Sequence, residues 1–372
     1  MKKNILVTGG AGFVGSHLVD ALLAAGHVVR VLDNLTPQVH GEDIPDYLSP
    51  EAELICGDVR DSAAVHDALD GVEVVFHLAA AVGVGQSMYE IAQYVGANTQ
   101  GTAVLLQELL SRRSRVEKLV LASSMSVYGE GKYLCAQCGQ TAPALRSLAQ
   151  LRSKQWEMLC PSCGEPLTPI PTDESKPLQS SSIYSLSKRS QEEMCLLFGR
   201  TYGLPVVALR YFNIYGPRQA LSNPYTGVAA NFASRLLNGC SPLVFEDGRQ
   251  LRDFLNVEDA VQAAQLAMEH SSADGHALNA GSGEPISIRE VAEQLGQTLG
   301  TDVPPELTGK YRSGDVRHCF ADISAARALL GYAPKVRFAA GVKKLVHWLR
   351  EQQPQDRAAE AVAQLSSFGL TA

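Results

Sequence analysis

Tyr184 and Lys188 stand four residues apart in IYSLSKRSQEEM, a stretch with helical spacing. Residues i and i+4 share one face of a helix, so the Lys188 ammonium is expected beside the Tyr184 phenol. A nearby positive charge favours the ionised phenol, which predicts a lowered pKa and a proton-accepting base. Because many surface helices carry such a pair as solvated neighbours, it predicts a function only together with the motifs that precede it.

A glycine-rich turn, TGGAGFVG, lies near the start of the sequence and includes Gly9, Gly12 and Gly15. It follows a predicted strand, NILVT, and opens a predicted helix that stops at Gly26. Glycines at this spacing let the backbone turn tightly and approach a pyrophosphate at the N-terminus of the helix. The turn therefore predicts a dinucleotide site.

Asp33 ends the second predicted strand, where a carboxylate can accept hydrogen bonds from both hydroxyls of the adenosine ribose. The same carboxylate repels the additional phosphate of NADP, and Asn34 follows it instead of an arginine. The alternative is an aspartate that only forms a turn. The sequence predicts NAD as the cofactor. The residues predicted to contact it from these segments are Gly9, Gly12, Phe13, Val14, Gly15, Asp33, Asn34, Asp58, Val59, Leu78, Ala79 and Ala80.

Two CxxC pairs, CAQCG and CPSCG, are separated by 21 residues. This spacing predicts a structural zinc ion held by four thiolates in a ribbon, with Cys135, Cys138, Cys160 and Cys163 as the ligands. A disulfide framework is the alternative, which a reducing compartment disfavours. The other four of the eight cysteines are scattered and are interpreted as small core residues.

The alternation of short apolar runs with helical segments predicts an α/β fold with a Rossmann-type, doubly wound parallel sheet. The predicted organisation is an NAD-binding domain at 1–212, including the strand Pro205–Arg210; an inserted zinc ribbon at 130–171; a smaller substrate lobe at 213–352, from which strands could return to the sheet; and a polar tail at 353–372.

The charge balance excludes some classes of partner. With 32 Lys and Arg against 39 Asp and Glu, the net charge is −7, which disfavours nucleic acid. No apolar stretch reaches the length of about 20 residues that crosses a bilayer. The apolar run at the N-terminus ends in glycines instead of a cleavage site, so the sequence predicts a cytoplasmic protein without a membrane partner.

TGGAGFVG, Asp33, GDVRD, HLAA, SSMSVYG and YSLSK together resemble an extended short-chain dehydrogenase/reductase of the nucleotide-sugar epimerase/dehydratase group, which includes UDP-galactose 4-epimerases. The resemblance implies that Ser124 hydrogen-bonds the reacting oxygen, that Tyr184 is the base, and that Lys188 binds the nicotinamide ribose and lowers the tyrosine pKa. It also implies that Asn98, near the lysine, and Tyr211, against the nicotinamide, belong to the cofactor site, and that the helices of Asn98 and Tyr184 pair in a homodimer.

The resemblance further implies a nucleotide-diphosphate sugar as substrate. It assigns the diphosphate and ribose to Asn213, Arg252, Arg312 and Asp315, and Asn223 is a further candidate for this pocket. Forked cations suit a diphosphate and a carboxylate suits a ribose, although each of these residues taken singly is as often part of a surface ion pair.

Family members share removal of a hydride from C4 of the sugar and differ in the step after it. Those that eliminate or decarboxylate carry an acidic residue just after the serine or threonine of the SSxxVYG turn. Here Met125 and Ser126 occupy these positions. Their chemistry argues against elimination and favours return of the hydride to the opposite face, which is 4-epimerisation.

The segment LDNLTPQVHGEDIPDYL and the cysteine insertion resemble the dTDP-L-rhamnose 4-epimerase branch of the family. This implies interconversion of dTDP-L-rhamnose and dTDP-6-deoxy-L-talose. The alternatives are a UDP-hexose or UDP-uronate 4-epimerase, a nucleotide-sugar 4-reductase, and, from a different class, a non-catalytic NAD sensor, which would be expected to have lost part of the Ser124, Tyr184 and Lys188 set.

Overall fold

The computed structural model describes residues 2–41, 43–112, 116–225 and 227–371. The first third of the chain alternates strands with helices. In chain order its elements are β1 Asn4–Thr8, α1 Phe13–Ala24, β2 Val28–Asp33, α2 Pro37–His40, β3 Glu53–Cys56, α3 Ser62–Ala68, β4 Val74–His77, α4 Val84–Ser87, α5 Ile91–Tyr94, a π-helical segment Val95–Gln100, α6 Gly101–Arg112 and β5 Lys118–Ser124. Buried aliphatic residues fill most of these strands, as a sheet covered on both faces requires.

The insertion at 130–171 folds as a small antiparallel unit that a 3-10 helix, Met125–Tyr128, connects to β5. Its elements are β6 Lys132–Cys135, β7 Gly139–Thr141, α7 Leu148–Arg152 and β8 Thr168–Ile170. β6 pairs with both β7 and β8. Tyr133, Met158 and Leu167 form its own small core together with two of the cysteines.

The rest of the chain begins with a long helix. Its elements are α8 Ile183–Tyr202, β9 Val206–Tyr211, β10 Asn213–Tyr215, α9 Val228–Leu237, β11 Leu243–Val244, β12 Leu251–Asn256, α10 Val257–Glu269, a 3-10 helix Ser271–Ala273, β13 Ala277–Ala280, β14 Pro285–Ser287, α11 Ile288–Leu299, β15 Glu306–Leu307, β16 His318–Cys319, α12 Ser324–Leu330, α13 Phe338–Leu349 and α14 Ala358–Ser367. None of the described helices is long and apolar enough to cross a bilayer.

Seven strands form the main sheet in the order β13-β9-β5-β4-β1-β2-β3, and every neighbouring pair is parallel. The strand order reverses between β1 and β4, which leaves a crevice at the carboxyl ends of these strands. The predicted Rossmann-type α/β fold is confirmed. Hydrophobic clusters cover both faces of the sheet.

Part of the predicted substrate lobe at 213–352 belongs to the main sheet. β13 pairs with β9 at the sheet edge, and α10 packs against α1. The remainder of the lobe is built on β12, which pairs with β10, β14 and β16 and supports a separate core under α9, α11 and α13.

The segment predicted as a polar tail, 353–372, contains a packed helix instead. Ala358, Ala361 and Leu365 of α14 are buried. The prediction relied on the average composition, whereas the spacing i, i+3 and i+7 places these apolar residues on one face of a helix. The segment is therefore part of the folded body.

Candidate functional site

A cleft of about 920 Å³ runs along the carboxyl ends of β1, β2, β4, β5 and β9. Its first end is lined by the glycine turn between β1 and α1. Gly9 has φ +72°, and a Cβ on it would lie 2.7 Å from the backbone nitrogen of Ala79. A Cβ on Gly15 would lie 2.1 Å from the carbonyl oxygen of Gly9. Only glycine fits at these two positions, and the turn leaves the N-terminus of α1 open for a phosphate, since its N-cap, Gly12, has no side chain.

Asp33 ends β2 at the wall of this cleft, with 8% of the residue exposed. Its Oδ2 accepts a hydrogen bond from the Ala11 N–H at 3.0 Å, and its Oδ1 accepts one from the Leu35 N–H at 3.0 Å. These bonds orient the carboxylate, and each oxygen keeps lone-pair capacity for a ribose hydroxyl. The donors and geometry of this wall therefore fit an adenosine ribose.

Arg60, which the sequence reasoning missed, lies beside Asp58 at the same end. Its Nε donates to Oδ1 of Asp58 at 2.9 Å and its Nη2 to Oδ2 at 2.7 Å, while Asn34 donates to Oδ2 at 3.0 Å. The hydrogen bond from Arg60 is the main cause that lowers the pKa of Asp58 to about 2. The GDVRD motif could have indicated Arg60, because it places a cation two residues from the aspartate.

Ser124, Tyr184 and Lys188 meet at the middle of the cleft. Ser124 ends β5, in register with Tyr211 at the end of β9. Tyr184 lies in the first turn of α8, which begins with a capping box between Ser182 and Ser185, and its backbone N–H donates to the Ser87 hydroxyl at 3.0 Å. The predicted serine, tyrosine and lysine therefore line one site.

The electrostatics of this site differ from the prediction. Burial raises the pKa of Tyr184, and the hydrogen bond with Ser124 opposes that shift only in part. The Lys188 ammonium donates to the carbonyl oxygen of Ala122 at 2.8 Å, and burial lowers its pKa to about 8. The predicted lowered pKa of Tyr184 is thus wrong, because desolvation is the largest cause of the shift in both groups.

Asn98 is the one predicted cofactor residue that does not line the cleft. It is fully buried, its amide pairs with the backbone N–H and carbonyl of Ala81 at 2.7 and 3.0 Å, and it donates to the Ser187 hydroxyl at 2.8 Å. Its side chain therefore connects the loop after β4 to α8 at Ser187, the residue before Lys188. In this way it fixes the position of the lysine without facing the cleft. Both polar atoms of the Asn98 amide are already hydrogen-bonded to these residues. The sequence could not reveal these partners, because they come from other segments of the chain.

The second end of the cleft carries the predicted substrate residues. Oδ1 of Asn213 is buried without a hydrogen-bond partner, although the residue lines the cleft. A buried orphan acceptor is costly, which indicates that a ligand supplies the donor. Asn223 also lines the cleft, and its Oδ1 accepts from the Gln38 amide at 3.2 Å and from the Tyr225 N–H at 3.0 Å.

Arg252, Arg312 and Asp315 form one ionic group at this end. Arg312 donates to Oδ2 of Asp315 from Nε at 2.9 Å and from Nη2 at 2.7 Å, and its guanidinium stacks on the Phe245 ring at 4.7 Å. Arg252 lies 4.0 Å from the other oxygen of Asp315 and donates to the backbone carbonyls of the neighbouring 316–317 segment. The two guanidinium groups therefore face the cleft, and the Asp315 carboxylate between them holds them in position.

Gln250 and Phe245 also line this end and were not predicted. Gln250 is buried, its Nε2 donates to the Phe245 carbonyl at 2.9 Å, and its Oε1 has no partner. Residues i and i+2 of a strand share a face, so Gln250 could have been inferred from Arg252 two residues later.

Four sulfur atoms converge in the insertion. The Sγ atoms of Cys135, Cys138, Cys160 and Cys163 lie within 4.8 Å of one another, and those of Cys135 and Cys163 are 3.5 Å apart. Tetrahedral zinc with bonds of about 2.3 Å places its sulfur ligands about 3.8 Å apart, so the donor set fits this ion. All eight cysteines are free thiols, and backbone N–H groups of Ser162 and Cys163 lower the pKa of the Cys160 thiol to about 6.

Comparisons with known proteins agree with this geometry. The model of the NAD dependent epimerase/dehydratase family matches residues 5–148 and 158–281. A dTDP-L-rhamnose 4-epimerase of Burkholderia thailandensis is 34% identical over 354 residues, which are 94% of this chain and 96% of that protein.

Two solved structures are similar over their whole length. The UDP-glucose 4-epimerase of Thermotoga maritima with UDP-glucose has a TM-score of 0.74 at 32% identity, covering 94% of this chain and 99% of that one. The UDP-glucuronic acid 4-epimerase of Bacillus cereus with UDP-glucuronic acid and NAD has a TM-score of 0.76 at 26% identity, again covering 94% and 99%.

Proposed function

We propose, since this chain belongs to the NAD dependent epimerase/dehydratase family, that it is a nucleotide-sugar 4-epimerase, an isomerase that keeps NAD bound. One observation carries the proposal. Ser124, Tyr184 and Lys188 share a cleft whose one end fits a dinucleotide and whose other end offers two arginines and an orphan amide oxygen. Such a cleft suits hydride chemistry on a substrate that carries a diphosphate.

In the proposed reaction, the positive charges of Lys188 and of bound NAD+ would ionise the Tyr184 phenol, and the resulting phenolate accepts the proton of the C4 hydroxyl. Ser124 donates a hydrogen bond to the sugar oxygen as it becomes a carbonyl. NAD+, when bound, supplies the hydride acceptor, the later donor of the same hydride, and a positive ring charge. Lys188 orients the nicotinamide ribose. The keto sugar turns about its bond to the diphosphate while Arg252 and Arg312 hold that group, and Tyr184 returns the proton to the oxygen on the new face.

Met125 supports epimerisation over elimination. It comes directly after Ser124 and lines the cleft, and it packs against the core with no ionisable atom to remove a proton at C5. Ser126, the next residue, has a buried hydroxyl without a partner. A hydroxyl is far too weak a base for this proton at neutral pH without an activating group. Without a base for the C5 proton, the keto sugar can only take the hydride back. Its return to the opposite face inverts C4.

The lead substrate is dTDP-L-rhamnose, which the similarity to the Burkholderia thailandensis enzyme supports. The charges of the cleft favour it over a uronate. Of the cations that line the described part of the cleft, Arg60 is paired with Asp58, Lys188 belongs to the catalytic group, and two arginines serve the diphosphate. None is left for a carboxylate at C6, whereas Met125 offers an apolar surface to a methyl group.

We further propose that the insertion at 130–171 holds a structural zinc ion through Cys135, Cys138, Cys160 and Cys163, with no open coordination position. The NAD-binding domain would comprise 1–212 apart from this insertion, and the substrate lobe 213–352. In this organisation the metal stabilises the insertion and takes no part in hydride or proton transfer.

Ion pairs made by two residues of the insertion, Glu157 and Arg146, indicate which segment the insertion stabilises. Glu157 accepts hydrogen bonds from Arg317 at 2.5 Å and from His318 at 3.0 Å, and Arg317 is fully buried. Arg146 pairs with Glu246 at 2.8 Å and donates to the Asp315 carbonyl at 3.3 Å. The insertion therefore holds the segment 315–318, which follows Arg312, in place. Loss of the metal would weaken these contacts.

A homodimer is proposed on the helices that carry the site. Ile91, Val95, Leu186 and Leu197 are exposed on α5, the π-helical segment and α8. α8 packs against the π-helical segment, so these residues lie on neighbouring helices. An exposed apolar area on adjacent helices is the composition of a subunit interface.

The proposed reaction is tested by incubating purified protein with dTDP-L-rhamnose, UDP-glucose and UDP-glucuronate and separating the C4 stereoisomers of each. We expect dTDP-L-rhamnose to approach an equilibrium mixture with dTDP-6-deoxy-L-talose without added cofactor. Conversion only of a UDP-sugar would refute the substrate, net consumption of added NADH would indicate a 4-reductase, and NAD retention with no conversion of any sugar would favour a sensor.

Zinc is tested by metal analysis of protein purified without chelator. We expect about one zinc ion per chain, and none in a Cys160→Ser, Cys163→Ser variant. A metal content well below one in the unaltered protein would refute the zinc site and leave the epimerase proposal untouched.

A further inference from the structure

Residues 354–371, here named the strap, lie across the second half of the cleft. The strap begins at α9, where the Asn238 amide donates to the Pro354 carbonyl at 2.9 Å and Arg235 pairs with Asp356 at 3.0 Å. Its far end pairs with the loop of the substrate arginine, because the Ser313 N–H donates to the Leu370 carbonyl at 2.8 Å. It is therefore anchored on both sides of the cleft.

The side of the strap that faces the cleft is apolar. Ala358, Ala361, Val362 and Leu365 of α14 line the cleft, and so does Leu370 beyond the helix. The exposed side of the same helix carries Glu360, Ala363 and Gln364. The strap therefore presents aliphatic groups to the half of the cleft that also holds Arg252 and Arg312.

Leu365 lines the cleft beside the short helix α4. A Cβ on Gly85 would be 3.0 Å from Cδ2 of Leu365, so the two residues are in contact. Gly85 belongs to α4, and Ser87 of the same short helix accepts the backbone N–H of Tyr184 at 3.0 Å. The strap thus runs from Leu365, beside the short helix that contacts the Tyr184 backbone, to Leu370, beside the loop of Arg312. In the proposed reaction the sugar lies between the base and the arginines that hold the diphosphate.

Aromatic contacts hold the outer edge of the strap. The Phe368 ring stacks on Tyr89 with centroids 4.8 Å apart and planes at 10°. The Tyr225 hydroxyl donates to Oε1 of Gln364 at 2.7 Å. Tyr89 and Tyr225 also hydrogen-bond each other, so the two tyrosines that contact the strap are themselves joined.

We propose that the strap forms the outer wall of the sugar pocket, and that Leu365 and Leu370 contact the sugar and select one that presents a methyl group. The inference rests on the proposed function, since it assumes a nucleotide sugar in this cleft. A C6 hydroxyl or carboxylate against this wall would lose its water without gaining a hydrogen bond. Apolar pockets reject an added hydroxyl by up to about 100-fold, which sets the scale of the selection.

The test compares Leu365→Ser with Ala363→Ser, a matched change on the exposed side of the same helix. For Leu365→Ser we expect KM for dTDP-L-rhamnose to rise about 10-fold and the preference for dTDP-L-rhamnose over UDP-glucose to fall. Bound NAD and the affinity for dTDP alone, measured by calorimetry, should be unchanged. Ala363→Ser should match the unaltered protein in every measurement.

An unchanged KM and preference in Leu365→Ser would overturn the inference while leaving the epimerase proposal intact. Equal weakening of dTDP and of dTDP-L-rhamnose would overturn it too, since the strap would then contact the nucleotide. If Leu365→Ser loses NAD or unfolds, Leu370→Ala gives the same comparison. If the unaltered protein converts no nucleotide sugar, the proposed function fails, and calorimetry with dTDP-L-rhamnose against dTDP still decides whether the strap contacts the sugar.

Discussion

Replacing Tyr184 by phenylalanine removes the one phenolic oxygen that the proposed reaction requires and retains the ring. That ring is buried and meets the Tyr94 ring edge-on, with centroids 6.4 Å apart, so the packing should persist. Proton transfer by a positioned side chain contributes about 10²- to 10⁴-fold to rate. We therefore expect kcat to fall by at least about 100-fold, which corresponds to about 2.7 kcal/mol in the activation barrier.

The stability of this variant should change little. The variant loses at most one hydrogen bond, to Ser124, and such a bond contributes about 1 kcal/mol to folding. Burial raises the pKa of Tyr184, so the neutral phenol is the form that the protein loses, and no buried charge is stranded. The melting temperature and the NAD content should stay close to those of the unaltered protein.

The assay measures conversion of dTDP-L-rhamnose by chromatography, together with NAD released on denaturation and the melting temperature. Tyr128→Phe serves as the control, because Tyr128 is also a buried tyrosine but donates its hydroxyl to Asn279 at 2.7 Å, away from the cleft. A Tyr184→Phe variant with kcat within about threefold of the unaltered protein would refute the assignment of the base.

Three further changes test other parts of the site. Gly15→Ala should abolish NAD binding, measured as NAD released from purified protein, because its Cβ would lie 2.1 Å from the Gly9 carbonyl; full NAD content would contradict the turn as the pyrophosphate site. Burial lowers the pKa of Lys188 to about 8, so its positive charge is present below this pH and lost above it. We therefore expect kcat/KM to decline as the pH rises through about 8. A profile that stays flat up to the pH at which an ordinary lysine titrates would contradict a role for the ammonium. Glu157→Gln should raise KM for the nucleotide sugar several-fold and leave kcat and NAD content unchanged, because it weakens the ion pair with Arg317. The control is Glu165→Gln, at an exposed position of the same insertion, which should have no effect. Equal kinetics in the two variants would argue that the insertion does not stabilise the substrate site.

Structural features that depend only on adjacent residues could be predicted from the sequence. The positive φ of Gly9, the position of Asp33 at a strand end, and the shared face of Tyr184 and Lys188 are all set by a few adjacent residues. The CxxC pairs are similar, because each knuckle is a local turn. The family resemblance rested on these motifs, and the comparisons confirmed the family.

Features that depend on what covers a residue were not accessible in this way. The sequence predicted a lowered pKa for Tyr184 from helical spacing, but the surrounding protein removes water from both groups, and burial outweighs their proximity. Asn98 was expected at the cofactor, yet its partners are Ala81 and Ser187, which come from other segments. The apolar face of α14 could be recognised from its spacing, but not what it packs against.

Local sequence thus determined the chemistry that is available, the secondary structure that carries it and the family to which the chain belongs. The tertiary structure alone decided which groups are desolvated, that Arg252 and Arg312 share Asp315, and that Leu365 of the strap lines the cleft beside Gly85. The reason is physical: a hydrogen-bonding pattern within a helix or turn is set by adjacent residues, whereas desolvation and ion pairing depend on groups that are distant in sequence and meet only after folding.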